Sequence, residues 1–217
     1  MFGLPLFPLN TVLFPGVPLH LHIFEDRYQR MIDLCLESNQ EFGVVLIRRG
    51  SEAFGPLAET FPIGCTAQVV QVKPFEDGRM NITTLGKKRF RILSLEKTAE
   101  PYLIGRVVYY PLTNPDPETV NAAGARLRLW VDRYLSMLLD SGAMKIEIQK
   151  LPKPAIQLAY FAASLANISP VEKQHCLASS NAVELVNRLL SMYRREVALL
   201  KTMLLNREEG TGVFSSN

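Results

Sequence analysis

The first 24 residues, MFGLPLFPLNTVLFPGVPLHLHIF, contain no Asp, Glu, Lys or Arg, yet they carry Pro5, Pro8, Pro15 and Pro18. An apolar start of this length invites a reading as a signal peptide or membrane anchor. A spanning segment needs about 20 residues of continuous helix to satisfy its backbone in lipid. Each proline removes an amide donor and clashes with the preceding turn, at about 3 kcal/mol inside a helix. Four prolines exclude that helix, and a secretory signal also wants a basic start and a proline-free core. Extended chain remains. Leu19, Leu21 and Ile23 alternate with His20 and His22, the period of a strand with one buried face. The opening therefore belongs to a β-domain core.

The rest of the composition agrees with a globular chain. Hydrophobic residues make up 47% of the 217 and charged residues 21%, enough to bury a sizeable core. The net charge of +3 gives weak encouragement to nucleic-acid or membrane partners. Cys35, Cys65 and Cys176 are odd in number and widely spaced, which argues against a disulfide framework and for a reducing, cytoplasmic setting.

Residues 1–112 read mainly as strands. "CTAQVVQV" and "MNITTL" flank "KPFEDGR", where Asp77-Gly78 supplies a hairpin turn. "FGVVLIR", "KRFRILSL" and "YLIGRVVYY" are further strands. One helix interrupts them: in "EDRYQRMIDLCLES", Tyr28, Met31, Ile32, Cys35 and Leu36 share a face, and Asp26 with Gln29 forms its expected capping box. "PLTNPDPETV" is a linker, with Asp116 as N-cap and Pro117 as first helical residue. Beyond it, apolar residues recur every three or four positions. Residues 113–206 are a helical bundle, with Ser169, Pro170 and Glu172 opening one of its helices. Residues 207–217 form an expected disordered tail. The order is α+β, a β-rich subdomain followed by helices.

The motif search yields no catalytic signature. The P-loop, the G-x-S-x-G elbow, H-E-x-x-H and C-x-x-C are all absent. His20 and His22 share a strand face as a metal pair does, but no third ligand is near in sequence. Cys35 and Cys65 fall on buried faces, and His175 and Cys176, adjacent on a helix, diverge. "GKKRFRI" is the most basic stretch. As a strand it puts Lys88, Phe90 and Ile92 on one face and Lys87, Arg89 and Arg91 on a solvated one; as a nucleic-acid site it pairs cations with a stacking Phe90. The loop 49–64 places Phe54, Leu57 and Phe61 among glycines and prolines, where they either cover the core or meet a partner.

"LPLFPLNTVLFPGVPLHLHIFEDRYQRMI" resembles the start of the amino-terminal, substrate-binding domain of the Lon protease, particularly its short stand-alone relatives with an I-F-E-P-R-Y signature; Asp26 stands where that proline usually is. "FPIGCTAQVVQVKPFEDGRMNITTLGKKRFRI" is similar to the family's second signature, and "PAIQLAYFAASLANISPVEKQHCL" to its following helical segment. The resemblance covers about residues 4–205. It implies a twisted β pseudo-barrel of PUA-like type with one inserted helix, then a helical bundle, and a role in recognising polypeptides. No catalytic residue of the family has a matching position.

The expectation is a non-catalytic, cytoplasmic module without cofactor that binds unfolded or partner polypeptide, with a separate protease as a further partner and no membrane. Phe54 and Leu57, with Phe75 from the hairpin turn, are its expected contacts. The alternative is an RNA-binding module, since PUA-like barrels also occur in RNA-modifying proteins; a small enzyme is a distant third.

Overall fold

The computed structural model describes residues 1–52, 58–96, 100–113, 116–140 and 151–211. The proline-rich opening forms two strands, β1 (Phe2–Leu9) and β2 (Pro18–Ile23), with no helix between them. They are followed by α1 (Asp26–Ser38), β3 (Phe42–Arg49), the short β4 (Glu59–Thr60), β5 (Ile63–Pro74), β6 (Met80–Glu96) and β7 (Leu103–Tyr109). Strands β1, β7, β6, β5 and β3 pair in that order, and β1 returns to β3 in parallel from Leu6↔Gly43 to Leu9↔Leu46. The ring is a closed barrel, which removes most sheet edges.

"MNITTL" and "KRFRILSL" merge into one 17-residue strand, β6, against 7 residues in its neighbour β7. Its second half lies between β5 and β7, and its first half between β5 and β2. Gly86 makes the crossover possible: a Cβ there would sit 2.2 Å from the Phe14 carbonyl oxygen. The turn joining β5 to β6 has Gly78 at φ 83, as the Asp77-Gly78 pair predicts.

Two apolar clusters fill this unit. One gathers Phe7, Phe42, Cys65 and Ile82 against Tyr28, Met31, Ile32 and Cys35 of α1. The other holds Leu4, Leu6, Val45, Phe90 and Val107 inside the ring. Leu36, expected on the buried face of α1, is 40% exposed, because the helix ends two residues later and its last turn leaves the core. The expected capping box is absent: Glu25 is the N-cap, and no side chain caps the helix.

The chain divides into two compact units, Met1–Thr113 with Ile168–Ser179, and Asn114–Asn167 with Ser180–Asn217. The sequence expectation of a boundary near 112 differs in one respect. Helix α4 (Pro170–Leu177), read as part of the bundle, clusters with the barrel. Its N-terminus is the expected capping box, with Ser169 Oγ accepting from the Glu172 amide at 3.2 Å and Glu172 Oε2 accepting from the Ser169 amide at 3.0 Å. Buried Gln174 donates to the Ile63 carbonyl at 2.8 Å.

Arg89 corrects the reading of the basic strand. It is 3% exposed, not solvated, because α4 covers it: its guanidinium donates to the carbonyls of Leu177 and Ser179. Lys88, expected to share the face of Phe90, is exposed, since a register shift between β5 and β6 lies beside it. Phe90 is fully buried and offers no ring for a base to stack on.

The second unit packs α2 (Pro117–Asp140), α3 (Ala155–Leu165) and α5 (Ala182–Thr211) on one another. Asp116 caps α2 by accepting from the Thr119 amide at 2.8 Å. Tyr193 donates to the Ala162 carbonyl at 2.9 Å and meets Tyr134 edge to face. The tail expectation is corrected in part. Helix α5 continues to Thr211, five residues into the stretch read as disordered, and residues 212–217 lie outside the described residues.

Candidate polypeptide-binding site

Strand β2 lies off the ring and pairs only with β6 among the described residues. The Gly86 amide donates to the Val17 carbonyl at 3.0 Å, and the Phe75 amide to the Arg79 carbonyl at 2.8 Å. These bonds set the phase of both ladders. In an antiparallel pair, alternate residues turn their backbone groups toward the partner. With Leu19↔Thr84 and Leu21↔Ile82 in the bonded phase, the N–H and C=O groups of His20 and His22 point to the open side of β2. Pro18 occupies the same phase and has no donor, as suits an edge strand. Among the described residues, the result is a short sheet edge with two available amides.

The side chains around that edge are ordered by cross-strand pairs. His20 Nδ1 lies 3.1 Å from Thr83 Oγ1, and His22 Nδ1 lies 2.7 Å from Asn81 Oδ1. Gln71 and Lys73 of β5 continue these two rows, and the rows line a shallow cavity of about 430 Å³. The His22 ring stacks on Phe24 at 5.8 Å and meets Phe75 edge-on at 6.0 Å. Phe24 and Phe75 are each 39% exposed. Asp77 stiffens the turn that presents Phe75: it accepts from Arg79 Nε at 2.6 Å, a bond that holds its carboxyl below the usual carboxylate range. On the open side of β2 a second groove of about 280 Å³ has Phe7, Leu9 and Tyr28 as floor and Glu25 and Glu52 at its rim.

The sequence-derived residues fare differently. Phe75 stands beside the edge strand, in ring contact with His22. Phe54 and Leu57 lie outside the described residues. Phe24 carries no signal of its own in the sequence; it follows the Leu19–Ile23 alternation directly, and only the distant Asp77-Gly78 turn brings Phe75 to the His22 ring on which Phe24 stacks. His20 and His22 share a face as expected, yet among the described residues no group of three His, Cys, Asp or Glu is placed to hold a metal. Burial pushes the Cys35 thiol to about 11 and the Cys65 thiol to about 12, which keeps both in the un-nucleophilic form at neutral pH. His175 is exposed and Cys176 buried, so the two do diverge. No described helix is long and apolar enough to cross a membrane.

Comparison with known families decides what frames this edge. The model of the ATP-dependent protease La (LON) substrate-binding domain matches residues 3–195. The chain belongs to the Lon substrate-binding domain family. Lon protease of Parabacteroides distasonis is 30% identical over 201 residues, covering 91% of this chain and 24% of that protease. Lon protease 2 of Myxococcus xanthus is 26% identical with the same coverage, so the chain spans about a quarter of these relatives. Among solved structures, the Lon N-terminal domain protein from Xanthomonas campestris superposes with a TM-score of 0.64 at 23% identity, over 88% of this chain and 98% of that one. The N-terminal domain of the Mycobacterium avium complex Lon protease gives 0.67 at 18% identity, over 89% and 98%. Both likenesses establish the Lon N-domain fold. The matched part of Lon is its substrate-binding domain alone.

Proposed function

We propose that this Lon-type domain is a non-catalytic, cytoplasmic module that binds unfolded polypeptide by strand addition to β2. One observation carries the reading: the amides of His20 and His22 face an open sheet edge, flanked by the exposed rings of Phe24 and Phe75. An extended peptide laid along β2 pairs its backbone with those amides. Its alternate side chains then fall on the aromatic patch and into the groove floored by Phe7 and Tyr28. Phe54 and Leu57, outside the described residues, stay in this reading as expected contacts on the sequence argument alone. Delivery to a separate protease is the role that family membership suggests for such binding.

The test is Phe24→Ala with Phe75→Ala, measured by fluorescence anisotropy on a labelled, unfolded, apolar-rich polypeptide of near-zero net charge. Truncating apolar anchors costs about 1–3 kcal/mol each at an interface, or roughly 5- to 150-fold in affinity. The variant binds that much more weakly while its melting temperature stays close to the parent's. Binding depends weakly on salt. Unchanged binding rejects the patch, and steep salt dependence favours the RNA-type alternative.

A further inference from the structure

A further depression lies within the helical unit, between α2 and α3. It is open to solvent and holds about 560 Å³. It exists because α2 and α3 approach very closely beside it: a Cβ on Gly124 would lie 2.5 Å from the Ala155 Cβ. Larger side chains on either side of this contact then stand up as walls. Its apolar lining is exposed Ala125, Leu129 and buried Leu158; Leu129 is 70% exposed.

The rim is cationic. Arg126, Arg128 and Lys153 line it, and among the described residues no acidic side chain does. Arg128 is fixed in place by donating to the Pro152 carbonyl. Among the described residues, none of the three cations takes part in an ion pair, whereas Arg48 pairs with Glu59 and Arg188 with Glu184. Three unneutralised positive charges around an exposed leucine complement an anion carried on an apolar scaffold.

We infer that this cleft docks an acidic polypeptide segment whose carboxylates meet Arg126, Arg128 and Lys153 and whose apolar side chain rests on Leu129. Its rim is cationic, whereas the rim of the β2 groove carries Glu52 and a Glu25 already paired with Arg27 at 2.9 Å. The two surfaces therefore contact different stretches of polypeptide.

The experiment uses the full chain and two labelled peptides of equal length, one alternating leucine with glutamate and one alternating leucine with lysine. Anisotropy is read for the parent, for Arg126→Glu with Lys153→Glu, and for Leu129→Ala. The charge-reversed pair are rim residues, so the variant folds as the parent does. The acidic peptide binds it about 10-fold or more weakly, and parent binding itself falls as salt rises from about 50 to about 300 mM. Leu129→Ala weakens the acidic peptide several-fold at unchanged charge. The Phe24→Ala, Phe75→Ala variant binds the acidic peptide as the parent does, which separates this cleft from the β2 edge. Equal binding of the acidic peptide to parent and charge-reversed protein overturns the inference. So does displacement of that peptide by a polyuridine oligomer that binds the parent more tightly, which would make the cleft a nucleic-acid surface.

Discussion

The guanidinium of Arg89, midway along β6, donates to the carbonyl oxygen of Leu177, the last residue of helix α4, 88 positions later in the chain. A second bond to the Ser179 carbonyl at 2.8 Å completes the cap. The last carbonyls of a helix lack intrahelical partners, and a buried cation satisfies both their hydrogen bonding and the negative end of the helix dipole. Tyr110 closes the pocket from the other side, its ring 4.8 Å from the guanidinium carbon.

Arg89→Met therefore removes a charge-assisted cap and strands two buried carbonyls. Breaking such a buried arrangement costs about 3–5 kcal/mol. Denaturant melts should show that loss, while Lys87→Met, at an exposed neighbour, stays within about 0.5 kcal/mol of the parent. Equal stability of the two variants removes Arg89 from its role as the clasp of α4.

The same clasp governs limited proteolysis. The proline-rich stretch 111–117 remains the expected internal cleavage site. Because Ile168–Ser179 is bound into the barrel unit through Arg89 and Gln174, a single nick there leaves the pieces associated. Gel filtration of nicked protein gives one peak in native buffer and two only in denaturant. Separation in native buffer shows that α4 does not hold the fragments together.

Much of this fold is legible in the sequence, and the exceptions share a cause. The 2-residue period of Leu19–Ile23, the Asp77-Gly78 turn and the Ser169–Glu172 box are local signals, and each forms the element it predicts. Arg89 reads as solvated from sequence because nothing within β6 reports that a helix 88 residues away covers its outer face. The site follows the same rule. Phe75 stands out as an aromatic in a turn, but the open edge of β2 depends on which strands pair, and pairing is non-local.

Gly86→Ala is expected to be severely destabilising. The new methyl group meets backbone at 2.2 Å from the Phe14 oxygen and 2.9 Å from its carbon, and backbone cannot turn aside as a side chain can. Strain of this kind costs upward of about 2 kcal/mol. Thermal melting of the variant checks it, and a melt within a degree or two of the parent contradicts the tight crossing of the 13–17 segment over β6.

Stability should be lost in alkali and not at neutral pH. Burial raises Tyr28 from 10.0 to about 12, Cys35 from 9.0 to about 11 and Cys65 from 9.0 to about 12. An acid held neutral by burial binds its proton more tightly in the folded chain than in the unfolded one. Its contribution is whole below the unfolded pKa and is lost as pH climbs toward the folded value. Denaturation midpoints are therefore flat with respect to these groups below about pH 9 and fall between about 9 and 12. Native protein also reacts slowly with a thiol reagent at pH 8, and all three cysteines react once it is unfolded.

Amide hydrogen exchange tests the central claim most directly. The His20 and His22 amides point to the open side of β2, with no neighbouring strand there among the described residues, so both exchange rapidly in the free protein. Saturating unfolded casein should slow these two amides at least about tenfold by pairing them with backbone carbonyls of the added strand. The amides of Leu19 and Leu21, already turned toward β6, change little. If casein binds while His20 and His22 exchange as fast as before and protection falls elsewhere, strand addition at β2 is wrong.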